Sequence, residues 1–125
     1  MKERIHEYLM QNKTIDFKDL LFSLIDERKL TDSEVYKRAG IDRKTFSKIR
    51  CIDHYIPHKN NVIKLCLSLS LSLEETTELL SSAGYQLSTN NNFDLIVRYF
   101  IERGIYDFDL INDYLDSFAG TVLNW

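Results

Sequence analysis

Glycine and proline are scarce in this chain of 125 residues, which contains 4 glycines and 1 proline. β-Branched residues do not gather into runs bounded by turn signals, so nothing here is typical of a β-sandwich or β-barrel. The amino terminus has no apolar stretch like that of a signal peptide, and polar residues interrupt the longest apolar-rich segment, Val62 to Leu73. We therefore expect a soluble, all-α protein without an export signal or a membrane span.

Cysteine is also scarce, because Cys51 and Cys66 are the only two. Two cysteines are too few for a disulfide scaffold, and neither has a partner at zinc-ligand spacing. We predict a cytoplasmic location, inert packing roles for both thiols, and no metal or cofactor. Histidines 6, 54 and 58 match no catalytic pattern with Ser or Cys, and no phosphate-binding glycine loop is present, so we do not expect an enzyme.

The charges are unevenly distributed, although the formal net charge is only −3. Residues 1–27 include 4 basic and 6 acidic side chains, residues 28–64 include 10 and 4, and residues 65–125 include 2 and 9. Because salt screens charges over about 8 Å, a basic centre can bind a polyanion despite an acidic tail. The alternative is that these Lys and Arg residues only solvate helix faces.

The first part of the chain, residues 1–15, is predicted to be an arm or a short helix. Residues 3–11 place Ile5, Tyr8 and Leu9 at helical spacing. From Asp16 onward the apolar positions 17, 20, 21, 24 and 25 follow a wide helical stripe, which predicts a core helix.

Two short helices joined by a turn are predicted between residues 31 and 50. Thr31 to Glu34 match a capping box, and Gly40 suits the left-handed residue that ends such a helix. Asp42 can cap a second helix that reaches Arg50. That helix has apolar residues on one face and polar or basic residues on the others: Phe46 and Ile49 inside, and Arg43, Lys44, Ser47 and Lys48 outside.

Residues 51–60 contain Pro57 and are predicted to form an ordered loop. Val62 to Leu69 are apolar almost all round, as expected of a buried helix. The Ser and Leu alternation that follows has the period of a strand, but a capping box at Ser72 favours a turn at Ser70 and a new helix ending near Gly84. Helices over 93–103 and 107–118 complete a total of six or seven.

Residues 31–75 resemble the Cro/repressor-like (xenobiotic-response-element type) helix-turn-helix family. The resemblance is carried by Thr31, Glu34, Val35, Gly40, Ile41, Arg43, Thr45, Phe46, Ser47, Lys48 and Ile49, then Pro57, Leu65, Leu69, Leu71, Ser72, Leu73 and Glu75. It implies a lambda-repressor-like five-helix core within residues 16–84, followed by a two-helix extension over 85–125. It further implies a small bacterial or phage transcriptional regulator with a repressor-like role, which binds double-stranded DNA.

In such a domain the third helix, here residues 42–50, enters the major groove. The DNA-binding residues implied are Arg43, Lys44, Thr45, Ser47, Lys48 and Arg50, with His54 and Lys59 from the following loop. Arg43 or Lys44 can pair with the O6 and N7 acceptors of guanine. In the loop, His54, Tyr55 and His58 either approach phosphate or form a surface loop with Tyr55 turned inward.

Two residues depart from the family pattern. Asp32 stands where a DNA-contacting glutamine is usual, and a carboxylate there would repel phosphate. Tyr36 stands where alanine is preferred at the close approach of the two helices. These departures and the acidic tail support an alternative, a helix-turn-helix module that docks a protein partner or binds RNA.

The region after residue 79 is similar to a stretch that follows this kind of domain in uncharacterised bacterial proteins. Its acidic, aromatic helices over 93–103 and 107–118 either form the face of a homodimer or cap the core.

Overall fold

The computed structural model describes residues 2–124, which form eight α-helices and no strand. The all-α prediction is confirmed, whereas the predicted total of six or seven helices is too low, because the amino-terminal segment adds a complete helix to the seven that follow it. The helices are α1 (Lys2–Asn12), α2 (Phe17–Glu27), α3 (Asp32–Ala39), α4 (Arg43–Cys51), α5 (Lys59–Ser68), α6 (Leu73–Ser82), α7 (Asn92–Glu102) and α8 (Phe108–Ala119).

Side-chain caps fix several helix starts, as the sequence predicts. Both predicted capping boxes form, one from Thr31 to Glu34 at α3 and one from Ser72 to Glu75 at α6. Asp107 caps α8 by accepting a hydrogen bond from the backbone N–H of residue 110. Ser70 has a φ of 52°, so the alternating segment is a turn between two helices and not a strand. These bonds satisfy amide groups that would otherwise lack an intrahelical partner.

Helix α5 lies at the centre of the molecule, and every residue from Val62 to Leu69 is buried. It packs against α3 on one side and α6 on another, while α2 and α7 both pack against α6. Its complete burial explains why its apolar pattern lacks a polar face.

The carboxyl-terminal helices share this core. Val97, Phe100, Ile111 and Leu115 belong to the same apolar cluster as α2 to α6. α7 and α8 pack against each other as a hairpin, and α7 also contacts α6. The residues over 85–124 therefore cap the core, which is one of the two roles that the sequence suggests for them.

A buried ion pair also joins the extension to α5. The Asp94 carboxylate at the start of α7 is 3% exposed and accepts a hydrogen bond from Lys59 Nζ at 2.6 Å. The same carboxylate accepts a second bond from the backbone N–H of Ser88 at 2.7 Å. These bonds compensate the carboxylate for its loss of water.

Helix α1 differs from the other helices because it has no buried residue. Its side chains from Lys2 to Asn12 are all exposed. Every helix within residues 2–124 is too short or too polar to cross a lipid bilayer.

Candidate nucleic-acid interface

A tight turn joins α3 to α4. Gly40 adopts a φ of 63°, and Ile41 N donates to the carbonyl of Tyr36 at 2.9 Å. Glycine adopts this left-handed conformation without the steric cost that a Cβ imposes. Ile41, the next residue, is buried, and it anchors the turn to the core.

Asp42 sets the first turn of α4. Its carboxylate accepts a hydrogen bond from the backbone N–H of Thr45 at 2.7 Å. That bond, aided by the side chain of Thr45 and the nearby Lys44, lowers the pKa of Asp42 from its ordinary value. The carboxylate is therefore a helix cap and remains ionised at neutral pH.

The inner face of α4 is aromatic and aliphatic. Phe46 and Ile49 are buried, and the Phe46 ring meets Phe22 edge-on with centroids 5.9 Å apart. Tyr36 packs on the other side of Phe46 at 5.7 Å. The bulky Tyr36 is thus accommodated as a half-buried ring between α3 and α4, where it fills space beside Phe46.

The outer face of α4 is cationic. Arg43, Lys44, Ser47 and Lys48 are exposed, and Thr45 is half-buried. Within residues 2–124, none of the three cations on this face makes an ion pair. An open groove of about 590 Å³ runs beside them, lined by Arg43, Lys44, Ser47, Lys48, Cys51 and Ile52. The arrangement offers solvent-exposed cations to an anionic ligand.

Arg50 is engaged differently from the other predicted site residues. Its guanidinium donates to both carboxylate oxygens of Asp32, at 2.5 and 2.7 Å, and lies 4.0 Å from the centroid of the Phe22 ring. The hydrogen bonding of Arg50 to the Asp32 carboxylate raises the pKa of Arg50. This bidentate pair joins the start of α3 to the end of α4, and it balances the negative charge of Asp32.

The other two predicted site residues, His54 and Lys59, have neighbours outside α4, and Lys59 is the first residue of α5 and not, as predicted, part of the loop. Lys59 is bound to the Asp94 carboxylate, and its ammonium group faces the extension. His54 is exposed with a φ of 60°, and its Nδ1 lies 4.0 Å from Asp16. The structure therefore brings together Arg43, Lys44, Thr45, Ser47 and Lys48. Arg50 lines a neighbouring pocket with Arg43 and Ser47 but is paired with Asp32, whereas His54 and Lys59 have other neighbours.

The remaining side chains of the predicted loop differ in burial. Tyr55 is half-buried against the core, whereas His58 is exposed. Cys51 is exposed and forms the last residue of α4, so the prediction that it is a packing residue is wrong. Cys66 is fully buried, and burial raises its pKa to about 12, as expected of an inert thiol.

Sequence reasoning missed the contacts of Asp32, because its partner Arg50 lies 18 positions away. It also missed Ile52, which is exposed at the end of the cationic groove. The contact of Asp32 and the position of Ile52 both depend on how the helices pack. The local sequence pattern gives no information about that packing.

No metal centre adjoins the groove. In the part of the chain that the structure describes, no group of three or more His, Cys, Asp or Glu side chains is arranged to hold a metal ion. Comparison of the chain with protein-family models, with curated proteins and with solved structures finds no match.

Proposed function

We propose that this protein is a sequence-specific DNA-binding protein, a small transcriptional regulator of bacterial or phage type. In this proposal α3 and α4 form a helix-turn-helix unit within a lambda-repressor-like core, and α4 enters the major groove of double-stranded DNA. The observation that carries the proposal is the outer face of α4, where Arg43, Lys44 and Lys48 are exposed and form no ion pair with another described residue.

The types and positions of these side chains suit two different tasks. Arg43 and Lys44 lie in the first turn of α4, and the first turn of a recognition helix meets base edges. Lys48 lies one turn later, where an ammonium group suits a phosphate. Thr45 and Ser47 add hydroxyl groups that can donate to phosphate oxygens or base acceptors.

The carboxylate of Asp32 should repel DNA less than its position in the sequence suggests. Its two carboxylate oxygens both accept hydrogen bonds from Arg50. The pair is therefore close to neutral, and it presents no net repulsion to a phosphate nearby. It also removes Arg50 from the cations available to DNA.

The test is a fluorescence-anisotropy titration of labelled random duplex DNA with the wild type and with Lys44→Glu/Lys48→Glu, at low and moderate salt. Each lost phosphate contact weakens binding by about tenfold near 0.1 M salt. We therefore expect the double variant to lose at least about a hundredfold in affinity, and to show a smaller salt dependence.

A matched control changes net charge equally elsewhere. Lys29 and Lys37 are exposed and lie outside α4, so Lys29→Glu/Lys37→Glu should retain most of the affinity. The proposal is rejected if the wild type does not bind duplex DNA at low salt, or if the two double variants lose affinity equally.

The second candidate function is docking of a protein partner, or of RNA, on the same surface. It is favoured by the exposed Ile52, which continues the cationic groove with an apolar surface. Protein docking through this end predicts that Ile52→Ser removes partner binding, while DNA affinity changes little because the substitution alters no charge. Binding of single-stranded RNA more tightly than duplex DNA in the same titration would favour the RNA form of this alternative.

A further inference from the structure

Helix α1 and the α7–α8 hairpin both leave apolar side chains uncovered. We propose that these two surfaces bind each other between two copies of the chain, so that α1 of each copy lies on the hairpin of its partner. The inference is independent of the proposed function, because self-association is measured without DNA.

The pattern of α1 is that of a helix that packs on an acidic apolar surface. At about 100° per residue, Ile5, Tyr8 and Leu9 form one stripe. Lys2 and Arg4 lie on opposite borders of this stripe, so either border can approach an acidic group.

The two acidic residues of α1, Glu3 and Glu7, project to the side opposite the stripe. An isolated helix of 11 residues is only marginally stable in water, and α1 buries none of its residues in its own chain. A partner that covers the stripe would supply the missing packing.

The hairpin presents two parallel stripes of exposed apolar residues. Leu95 and Tyr99 lie one turn apart on α7, and Leu110, Tyr114 and Phe118 lie one turn apart on α8. Tyr99 and Tyr114 both contact the buried ring of Phe100, at 5.3 and 5.1 Å between centroids, so the stripes are neighbours. We call these five exposed residues the hairpin face.

The charges that α8 places beside the hairpin face are acidic, whereas at the end of α7 the guanidinium of Arg103 lies 3.5 Å from the centroid of the Tyr99 ring. α8 carries Asp109, Asp113 and Asp116 and has no Lys or Arg. The first two border the Leu110 to Phe118 stripe on its outer side. On α7, Arg98 and Glu102 neutralise each other at 2.7 Å. The basic borders of α1 therefore match the acidic border of α8.

Charge also decides between two ways of covering the hairpin face. If two hairpin faces packed on each other with α8 against α8, like charges would come together, which is unfavourable. If α1 packs there instead, opposite charges meet. A twofold symmetric dimer forms two such contacts, because α1 of each copy reaches the face of the other.

The first test compares the self-association of the wild type and of Ile5→Ser/Leu9→Ser by analytical ultracentrifugation. Burial of each aliphatic side chain contributes about tenfold or more to an affinity, so we expect the double variant to associate at least a hundredfold more weakly. Because α1 buries nothing in its own chain, the variant should keep the fold of the wild type. Met10→Ser is the control, since Met10 is 72% exposed and lies off the stripe.

The second test reverses charge on each surface separately. Lys2→Glu/Arg4→Glu places acids against the acidic hairpin, and Asp109→Lys/Asp113→Lys places bases against the basic α1. Each variant alone should dimerise at least about tenfold more weakly than the wild type. An equimolar mixture should form a heterodimer, because one contact pairs the two reversed surfaces and the other pairs two wild-type surfaces.

Three outcomes overturn the proposal. They are a wild type that stays monomeric at every concentration tested, a dimer that Ile5→Ser/Leu9→Ser does not weaken, and a mixture of the charge-reversed variants that forms no heterodimer. The last outcome would mean that α1 packs on its own chain or that another surface joins the copies.

Discussion

The α3–α4 pair and the α7–α8 pair are built on the same local plan. Each consists of two short helices joined by a turn that contains a left-handed glycine, Gly40 with φ 63° and Gly104 with φ 67°. In each pair an aspartate, Asp42 or Asp107, caps the second helix. What differs is the outer surface, which is cationic on α4 and apolar with an acidic border on α8. The same backbone plan thus carries surfaces of different chemical character, depending on the residues left outside.

The largest expected effect is on the stability of the α7–α8 pair, whose apolar residues are divided between the core and the surface. Leu115 is fully buried on α8, whereas Phe118 on the same helix is 64% exposed. Leu115→Ala should lower the free energy of unfolding by about 3 kcal/mol, and Phe118→Ala by less than about 0.5 kcal/mol. Urea unfolding at low protein concentration measures both, because association would otherwise add to stability. Equal losses would mean that the hairpin face stabilises the monomer.

An intermediate loss of stability is expected for substitutions of Gly40 and Gly104, and their effects on DNA binding should distinguish the two turns. Gly40→Ala and Gly104→Ala each force a Cβ into the left-handed region, which costs about 1 kcal/mol. At Gly104 no atom lies within 4 Å of the added Cβ, so backbone strain is the only cost there.

Thermal unfolding should therefore show a loss of stability for each of the two glycine variants. DNA titration should show weaker binding only for Gly40→Ala, because only that turn positions α4. A loss of DNA affinity in both variants would contradict the assignment of separate roles to the two turns.

The smallest effect should come from Asp32, whose carboxylate binds Arg50 at the end of α4. Asp32→Asn removes a carboxylate and releases Arg50, so we expect DNA affinity to rise by about threefold at moderate salt. Stability should fall by less than about 1 kcal/mol, because both partners of this ion pair are partly exposed. Asp109→Asn changes net charge equally on α8, and it serves as the control in the same titration. An affinity that falls in Asp32→Asn would mean that the ion pair positions α4 for binding.

Most of the helix boundaries could be predicted because their signals are local. A capping box such as Thr31 to Glu34 spans four residues, and a terminal glycine such as Gly40 acts within one turn. The extent of α1 was less certain, since a helix without buried residues leaves only a short apolar pattern.

The pairings within the candidate site could not be predicted in the same way. Asp32 binds Arg50 across 18 positions and Lys59 binds Asp94 across 35, so each pair exists only after the helices have packed. The basic composition of residues 43–50 predicted which cations belong to the surface. It could not distinguish the free Lys44 from the bound Arg50, because that difference depends on which acid the fold brings near.

One buried ammonium group connects parts of the molecule that are otherwise far apart in sequence. Lys64 on α5 is 7% exposed, and burial lowers its pKa. Its Nζ donates to the carbonyl of Gly40 at 3.5 Å and also to the carbonyl of Asn124. A shift of the carboxyl-terminal segment would therefore take one acceptor from the Lys64 ammonium group, whose other acceptor belongs to the turn before α4.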